Sequence, residues 1–143
     1  MSGNDFSYTP TTRNVEEKIR DIIETIIPKN SVYIADAYKE KGLEAVRIDA
    51  VSSTSLELTP NSEQRDYVIE VHHYMRSNDP ITRSRNTKNK VDRIVQVLNN
   101  NQIVTDMWTQ LEVESVEYNV EDDDESLSAT KITISLINYN YWS

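Results

Sequence analysis

The sequence predicts a single α+β domain: a largely antiparallel sheet of about five strands with two helices packed on one face, in the order α-β-β-β-α-β-β. Three observations predict it. The chain has 143 residues, a length that suits one domain. Its apolar residues fall into stretches with either the 3.6-residue period of helices or the two-residue period of strands. These stretches do not alternate strand, helix, strand along the chain, as a parallel α/β sheet would require.

Residues 1–13 read as a flexible polar arm whose only aromatics are Phe6 and Tyr8, and residues 14–143 as the domain. The clearest helix covers residues 14–27. Val15, Ile19, Ile22, Ile23 and Ile26 form its stripe, Asn14 can cap it with Glu17 three residues on, and Pro28 stops it. So many isoleucines give poor intrinsic helix propensity, so packing must hold this helix. Residues 31–38 read as a strand with Val32 and Ile34 on one face, and residues 39–44, which include Gly42, as a turn. In the next strand, residues 45–51, Val46 and Ile48 oppose Arg47 and Asp49. Residues 52–66 are rich in Ser and Thr and contain Pro60 and Asn61. They read as a long loop with short strand pairing near Leu56 and Leu58. Residues 67–75 form the third strand.

Residues 76–85 (RSNDPITRSR) read as a polar, basic loop. The second helix then opens at Asn86 or Thr87, carries Val91, Ile94, Val95 and Leu98 one turn apart, and ends at three asparagines suited to a left-handed cap. Residues 108–120 form a long strand with Val116, Tyr118 and Val120 on one face and Leu111 and Val113 on the other. An acidic turn at residues 121–125 leads into the last strand, residues 127–142, which closes a hairpin.

Composition excludes several kinds of chemistry. With no cysteine there are no disulfides, thiolate nucleophiles or Cys-based zinc sites. Gly3 and Gly42 are the only glycines, so neither a P-loop nor a G-x-G-x-x-G fingerprint exists. A G-x-S-x-G nucleophile elbow is equally absent. His72 and His73 are adjacent in a strand, so they point to opposite faces and do not share a metal. The acidic run lacks the alternating spacing and the glycine of a calcium loop. No apolar run approaches a membrane span, and the polar N-terminus has no signal-peptide core. The expectation is a protein without catalysis, cofactor, metal or membrane contact.

Charge is unevenly distributed. The net charge is −9 and the pI about 4.7, unsuited to non-specific DNA coating. Yet residues 76–93 hold six basic residues against two acidic ones, a local balance of +4. From residue 94 onward nine acids face Lys131 alone, a balance of −8. Two such segments in one domain suggest two faces with different partners. Arg76, Arg83, Arg85, Lys88 and Lys90 are the basic candidates for a subunit interface, and Glu121, Asp122, Asp123, Asp124 and Glu125 the acidic ones. Tyr139, Tyr141 and Trp142 are candidate aromatic anchors at the chain end.

The stretch Y-V-I-E-V-H-H-Y-M at residues 67–75, the basic segment after it, V-D-R-I-V-Q-V-L at residues 91–98 and the ending I-T-I-S-L-I-N-Y-N-Y-W resemble the tail terminator, or tail-completion, proteins of long-tailed bacteriophages. The resemblance is one of size, element order and texture over residues 14–142. It implies a virion protein assembled in the host cytoplasm as a homo-oligomeric, hexameric ring. Such a ring caps the tail tube protein, presents a surface to the head connector and neck proteins, and lets genome DNA pass without specific binding. A neck or head–tail adaptor and a tail tube subunit share that ring logic. The other classes are a small monomeric protein-binding module and a metal-dependent enzyme using the acidic run. A ring needs heterologous contacts, so the basic segment is expected to face the acidic hairpin of a neighbour.

Overall fold

The computed structural model describes residues 6–8, 12–28, 31–34, 44–121 and 124–142, with side chains described for 12–28, 31–34, 44–119 and 126–138. Strand β1 (Phe6–Tyr8) precedes helix α1 (Thr12–Ile23). Strands β2 (Val32–Ile34), β3 (Glu44–Thr59) and β4 (Ser62–Arg76) follow, then helix α2 (Pro80–Asn99) and strands β5 (Gln110–Glu121) and β6 (Asp124–Trp142). The fold class is as expected. One mixed sheet runs β1-β6-β4-β3-β2, with β5 also on β6, and only β2 pairs in parallel, with β3. Along its outer edge β6 meets β5 over residues 124–137 and β1 at residues 141–142. Residues 6–8 of the N-terminal arm are therefore part of the sheet, Phe6 opposite Trp142.

Both helices cover the same face. Val46 and Ile48 of β3, Ile69 and Val71 of β4 and Ile132, Ile134 and Leu136 of β6 alternate with polar residues and form one core with Val15, Ile19 and Ile23 of α1 and Val91, Ile94 and Leu98 of α2. Each such side chain contributes about 1.5–3 kcal/mol relative to exposure. That burial, not propensity, holds the isoleucine-rich α1. The helix starts at Thr12, two residues before the expected cap, so Asn14 lies within it. Glu17 sits 4.0 Å from Arg13 and 3.8 Å from Arg20 rather than closing a capping box. Glu16 is buried, and its Oε2 accepts the Ala50 N–H at 3.0 Å, tying α1 to β3.

The expected loop at residues 52–66 is a hairpin. Strand β3 bulges between Ala50 and Ser52, then continues, with a second register shift between Ser55 and Glu57, to a two-residue turn at Pro60 and Asn61, where β4 returns antiparallel. Beyond the bulge, residues 51–58 are all exposed, including Val51, Leu56 and Leu58. A strand with neither face on a core has no two-residue apolar period, so its sequence resembles a loop. Arg65 braces it, donating from Nε to Ser53 Oγ at 2.8 Å and from Nη1 to Glu63 Oε2 at 2.9 Å.

The expected basic loop at residues 76–85 is mostly helix. Asp79 caps α2: its Oδ1 accepts the Ile81 N–H at 3.1 Å and its Oδ2 accepts the Thr82 hydroxyl at 2.6 Å. Pro80 opens the helix, where its missing N–H costs nothing. The Thr82 hydroxyl and Ile81 N–H bonds hold the Asp79 carboxyl below its ordinary value of 3.8. A depressed folded pKa contributes stability that is whole above 3.8 and is lost as pH falls through the lower value. Asp79→Ala is therefore expected to lower the thermal midpoint at neutral pH, with a deficit that narrows in acid, read by circular dichroism.

At the other end of α2 the expected left-handed cap does not form. Asn100 is right-handed (φ −72°, ψ −11°), and the positive φ belongs to Asp106 (φ 68°), a residue type that tolerates it. Asp106 turns the chain so that Val104 and Trp108 exchange backbone hydrogen bonds at 3.0 Å. Buried Trp108 donates from Nε1 to the Asn101 carbonyl at 2.9 Å, locking the end of α2 to the start of β5.

Candidate functional site

Helix α2 packs across β4, β5 and β6, whereas α1 packs on β2 and β3. The basic segment and the acidic hairpin therefore flank one side of a single subunit. Among the described residues no ion pair joins the basic segment to the acids of the hairpin.

The five basic candidates separate into different environments. Arg83 is buried, donating from Nε to Ser128 Oγ and from Nη1 to the Ser77 carbonyl, both at 2.9 Å. Arg76, half-buried at the end of β4, donates from Nη1 to Ser126 Oγ at 3.0 Å. The Ser77 N–H also donates to the Ser126 carbonyl at 2.9 Å. Arg83 fastens the start of α2, and Arg76 the end of β4, to the start of β6, and neither is a free surface charge. Lys90 is half-buried; Arg85 and Lys88 are exposed, and so is Arg93 one turn beyond them.

Of the acidic candidates, Glu121 ends β5 opposite Asp124 at the start of β6. Asp122 and Asp123 lie outside the described residues, as do the side chains of Glu121, Asp124, Glu125, Tyr139, Tyr141 and Trp142. The backbone of the aromatic end is placed: Tyr139 and Tyr141 pair with Gln64 and Ser62 of β4, and Tyr141 and Trp142 with β1.

Strand β5 carries the acids the structure does describe. A bulge between Val113 and Ser115 leaves Glu114 without a register partner. Leu111 and Val113 lie opposite Leu136 and Ile134, and beyond the bulge Val116 and Tyr118 lie opposite Ile132 and Thr130. All four partners belong to the core-facing alternation of β6, so Leu111, Val113, Val116 and Tyr118 share one face. The expected split of these residues onto two faces is corrected by the bulge, which resets the alternation. Glu112, Glu114 and Glu117 are exposed. Glu117 accepts from Lys131 at 3.2 Å, and this bond holds the Lys131 ammonium above its ordinary pKa. Burial, helped by the negative charge of Asp92, raises the Tyr118 hydroxyl, so it remains a proton donor at neutral pH.

The two histidines occupy opposite faces, as expected. His73 is fully buried, with Nε2 2.7 Å from Glu44 Oε2. On the helix-free face, His72 lies 3.1 Å from Glu70 and stacks on Tyr74 at a centroid distance of 6.5 Å. Its neighbours across the sheet are Arg47 and Lys131. Desolvation, followed by the Arg47 charge, lowers its pKa below 6.5 against the pull of Glu70 and Asp49. With a lowered folded pKa, the unfolded chain takes the proton first. This stability is whole above pH 6.5 and is lost as pH falls from there through the folded value. His72→Gln is expected to flatten the decline of unfolding free energy over that window, measured by urea titrations at a series of pH values.

Among the described residues, no group of three His, Asp or Glu side chains is placed to hold a metal ion, and no helix is long and apolar enough to cross a membrane. What the sequence reading missed is a cleft between α2 and the β5–β6 hairpin, walled by Arg83, Thr87, Lys88, Tyr118, Ser128 and Thr130. Its residues come from three elements, and no spacing along the chain marks them.

The fold is similar to that of a chain in the virion of a native gene transfer agent (GTA) particle. The TM-score is 0.58 and the identity 11%, covering 90% of this chain and 92% of that one. A second solved chain is 13% identical over 92% of this chain and 96% of that one, with a TM-score of 0.49. At 11% identity the first likeness is one of fold alone. The sequence matches no protein-family model and no curated protein.

Proposed function

We propose that this protein is a structural virion component, a tail terminator whose copies close into a ring that caps a phage tail tube and joins it to the head connector. The observation that carries this reading is the end-to-end likeness in fold to a chain of a gene transfer agent virion. The role is one of assembly, without catalysis, cofactor or metal. The ring's partners are further copies of the chain, the tail tube protein and the neck proteins, and its location is the virion.

Two features of the fold support it. A cyclic ring needs two different, complementary patches per subunit. Among the described residues β5 pairs only with β6 and β2 only with β3, so the sheet presents two unlike open edges on opposite sides. The exposed acids Glu112, Glu114 and Glu117 and the bulge on β5 suit a guarded edge that resists indiscriminate strand pairing. Second, the β3–β4 hairpin carries Val51, Leu56 and Leu58 exposed beyond the core, apolar surface that a neighbouring subunit would cover.

Native mass spectrometry over a concentration series, with electron microscopy of the same samples, tests the proposal. A closed oligomer is expected, six copies foremost, visible as rings. Leu56→Asp with Leu58→Asp is expected to leave the circular dichroism unchanged and to yield monomers. Open filaments would instead mark a tube subunit. A monomer at every concentration, with no rings, would favour a small protein-binding module.

A further inference from the structure

The cleft between α2 and the β5–β6 hairpin measures ≈ 220 Å³, and its walls are unlike the rest of an acidic molecule. Two of its lining residues, Arg83 and Lys88, are cationic, and no described carboxylate lines it, although the chain carries a net charge of −9. Asp92, one turn along α2 from Lys88, acts on Tyr118 and is not part of the wall. Thr87 and Thr130 are 4% and 1% exposed, one on the helix and one on the sheet, and both Oγ1 atoms are buried with no hydrogen-bond partner. Buried hydroxyls almost always find partners, because an unpartnered one keeps the full cost of its lost hydration. Two in one cleft point to something bound between them.

The donor set says what. Arginine and lysine only donate, and a threonine or tyrosine hydroxyl can turn its proton towards an acceptor. Arg83 is held by Ser128 and Ser77 through Nε and Nη1, which fixes its guanidinium plane before anything binds. Lys88 is exposed and supplies the second positive charge. A neutral ligand would leave that charge unmatched, and a cation would be repelled. Charge-assisted bonds from guanidinium and ammonium to an oxyanion are the strong ones.

We propose that this cleft is an oxyanion site, which takes one carboxylate or phosphate group on Arg83 and Lys88 with the Thr87 and Thr130 hydroxyls donating to it. The site stands on its own geometry and does not depend on the ring.

Calorimetry and amide chemical-shift titrations of the full chain with inorganic phosphate and, separately, with acetate test it. Binding of at least one anion is expected, with shifts centred on the first turns of α2 and on residues 118–130. Tighter phosphate binding would assign the site to phosphate groups, and tighter acetate binding to carboxylates. Thr87→Val with Thr130→Val keeps the side-chain shape and removes only unpartnered hydroxyls. This variant is expected to fold at least as stably as the parent without anion, and to bind about tenfold more weakly. Added anion should raise the thermal midpoint of the parent more than that of the variant. No binding of either anion at tens of millimolar would overturn the proposal. So would equal binding by parent and variant, which would mean an adventitious ion only.

Discussion

Deleting Glu112 is expected to cost about 3–5 kcal/mol of folding stability, whereas deleting Glu114 is expected to stay within about 1 kcal/mol of the parent. Glu112 and Glu114 are both exposed, so their side chains do not explain such a difference; the backbone of Glu114, which has no register partner, does. It is the extra residue of the β5 bulge. With it present, Leu111, Val113, Val116 and Tyr118 all face the helices. Without it the strand runs straight with every register pair kept, Leu111 opposite Leu136 through Tyr118 opposite Thr130, so the same four residues stay on the helix face. Deleting Glu112 instead breaks the alternation, and one half of β5 must change face. If the first half turns, Leu111, now 1% exposed, leaves the core. If the bulge is lost instead, Glu114 takes the place of Val113 opposite Ile134 and is driven towards the helices, where an unpaired carboxylate is costly to bury. Against a typical total of roughly 5–15 kcal/mol either result is large. Urea unfolding followed by tryptophan fluorescence reads it, since Trp108 lies just before β5. Equal stability of the two deletions would mean that the bulge does not set the register.

The same bulge shows how far the fold was legible. The order of elements was legible because the core-facing residues of α1, β4 and β6 repeat with clean periods. The phase change in β5 was also visible, as apolar residues that swap parity between Val113 and Val116. Read without a bulge it suggests two faces; read with one it suggests a single face. The start of α2 was obscured for a different reason. Its inward stripe begins with Arg83 and Thr87 and becomes apolar only at Val91, while Ile81 is exposed. Apolar periodicity therefore appears two turns late, although Asn78-Asp79-Pro80 already carried a cap and a helix-opening proline. The projecting β3–β4 hairpin has no buried face and so no pattern to find.

The candidate interface was legible as charge but not as geometry. Helix α2 must expose some of its basic residues and bury others, and local spacing does not say which serines will lie opposite them on β6. Partners from distant parts of the chain, Ser126 for Arg76 and Ser128 for Arg83, decide it. The cleft is the extreme case, because Thr87 and Thr130 have nothing in common until α2 is laid on β6.

That division makes Arg83→Glu and Arg85→Glu very different substitutions. The first is expected to destabilise the fold by about 3 kcal/mol or more. It removes the donors to Ser128 Oγ and the Ser77 carbonyl. It also places a carboxylate beside that carbonyl at a position only 6% exposed. Arg85→Glu changes an exposed side chain and is expected to shift stability by no more than about 0.5 kcal/mol. Loss of assembly in a variant that combines both would thus report unfolding, not a broken contact. The clean reversal is Arg85→Glu with Lys88→Glu, which keeps the arginine that fastens α2. On the ring reading its unfolding midpoint stays close to the parent's, and its assembly slows at low salt and recovers as salt rises, because exposed charges steer encounter and are screened. Denaturant titration and time-resolved light scattering separate the two effects. A parent-like assembly rate in a folded variant would remove α2 from the contact surface, leaving the open β5 edge and the β3–β4 hairpin to carry it.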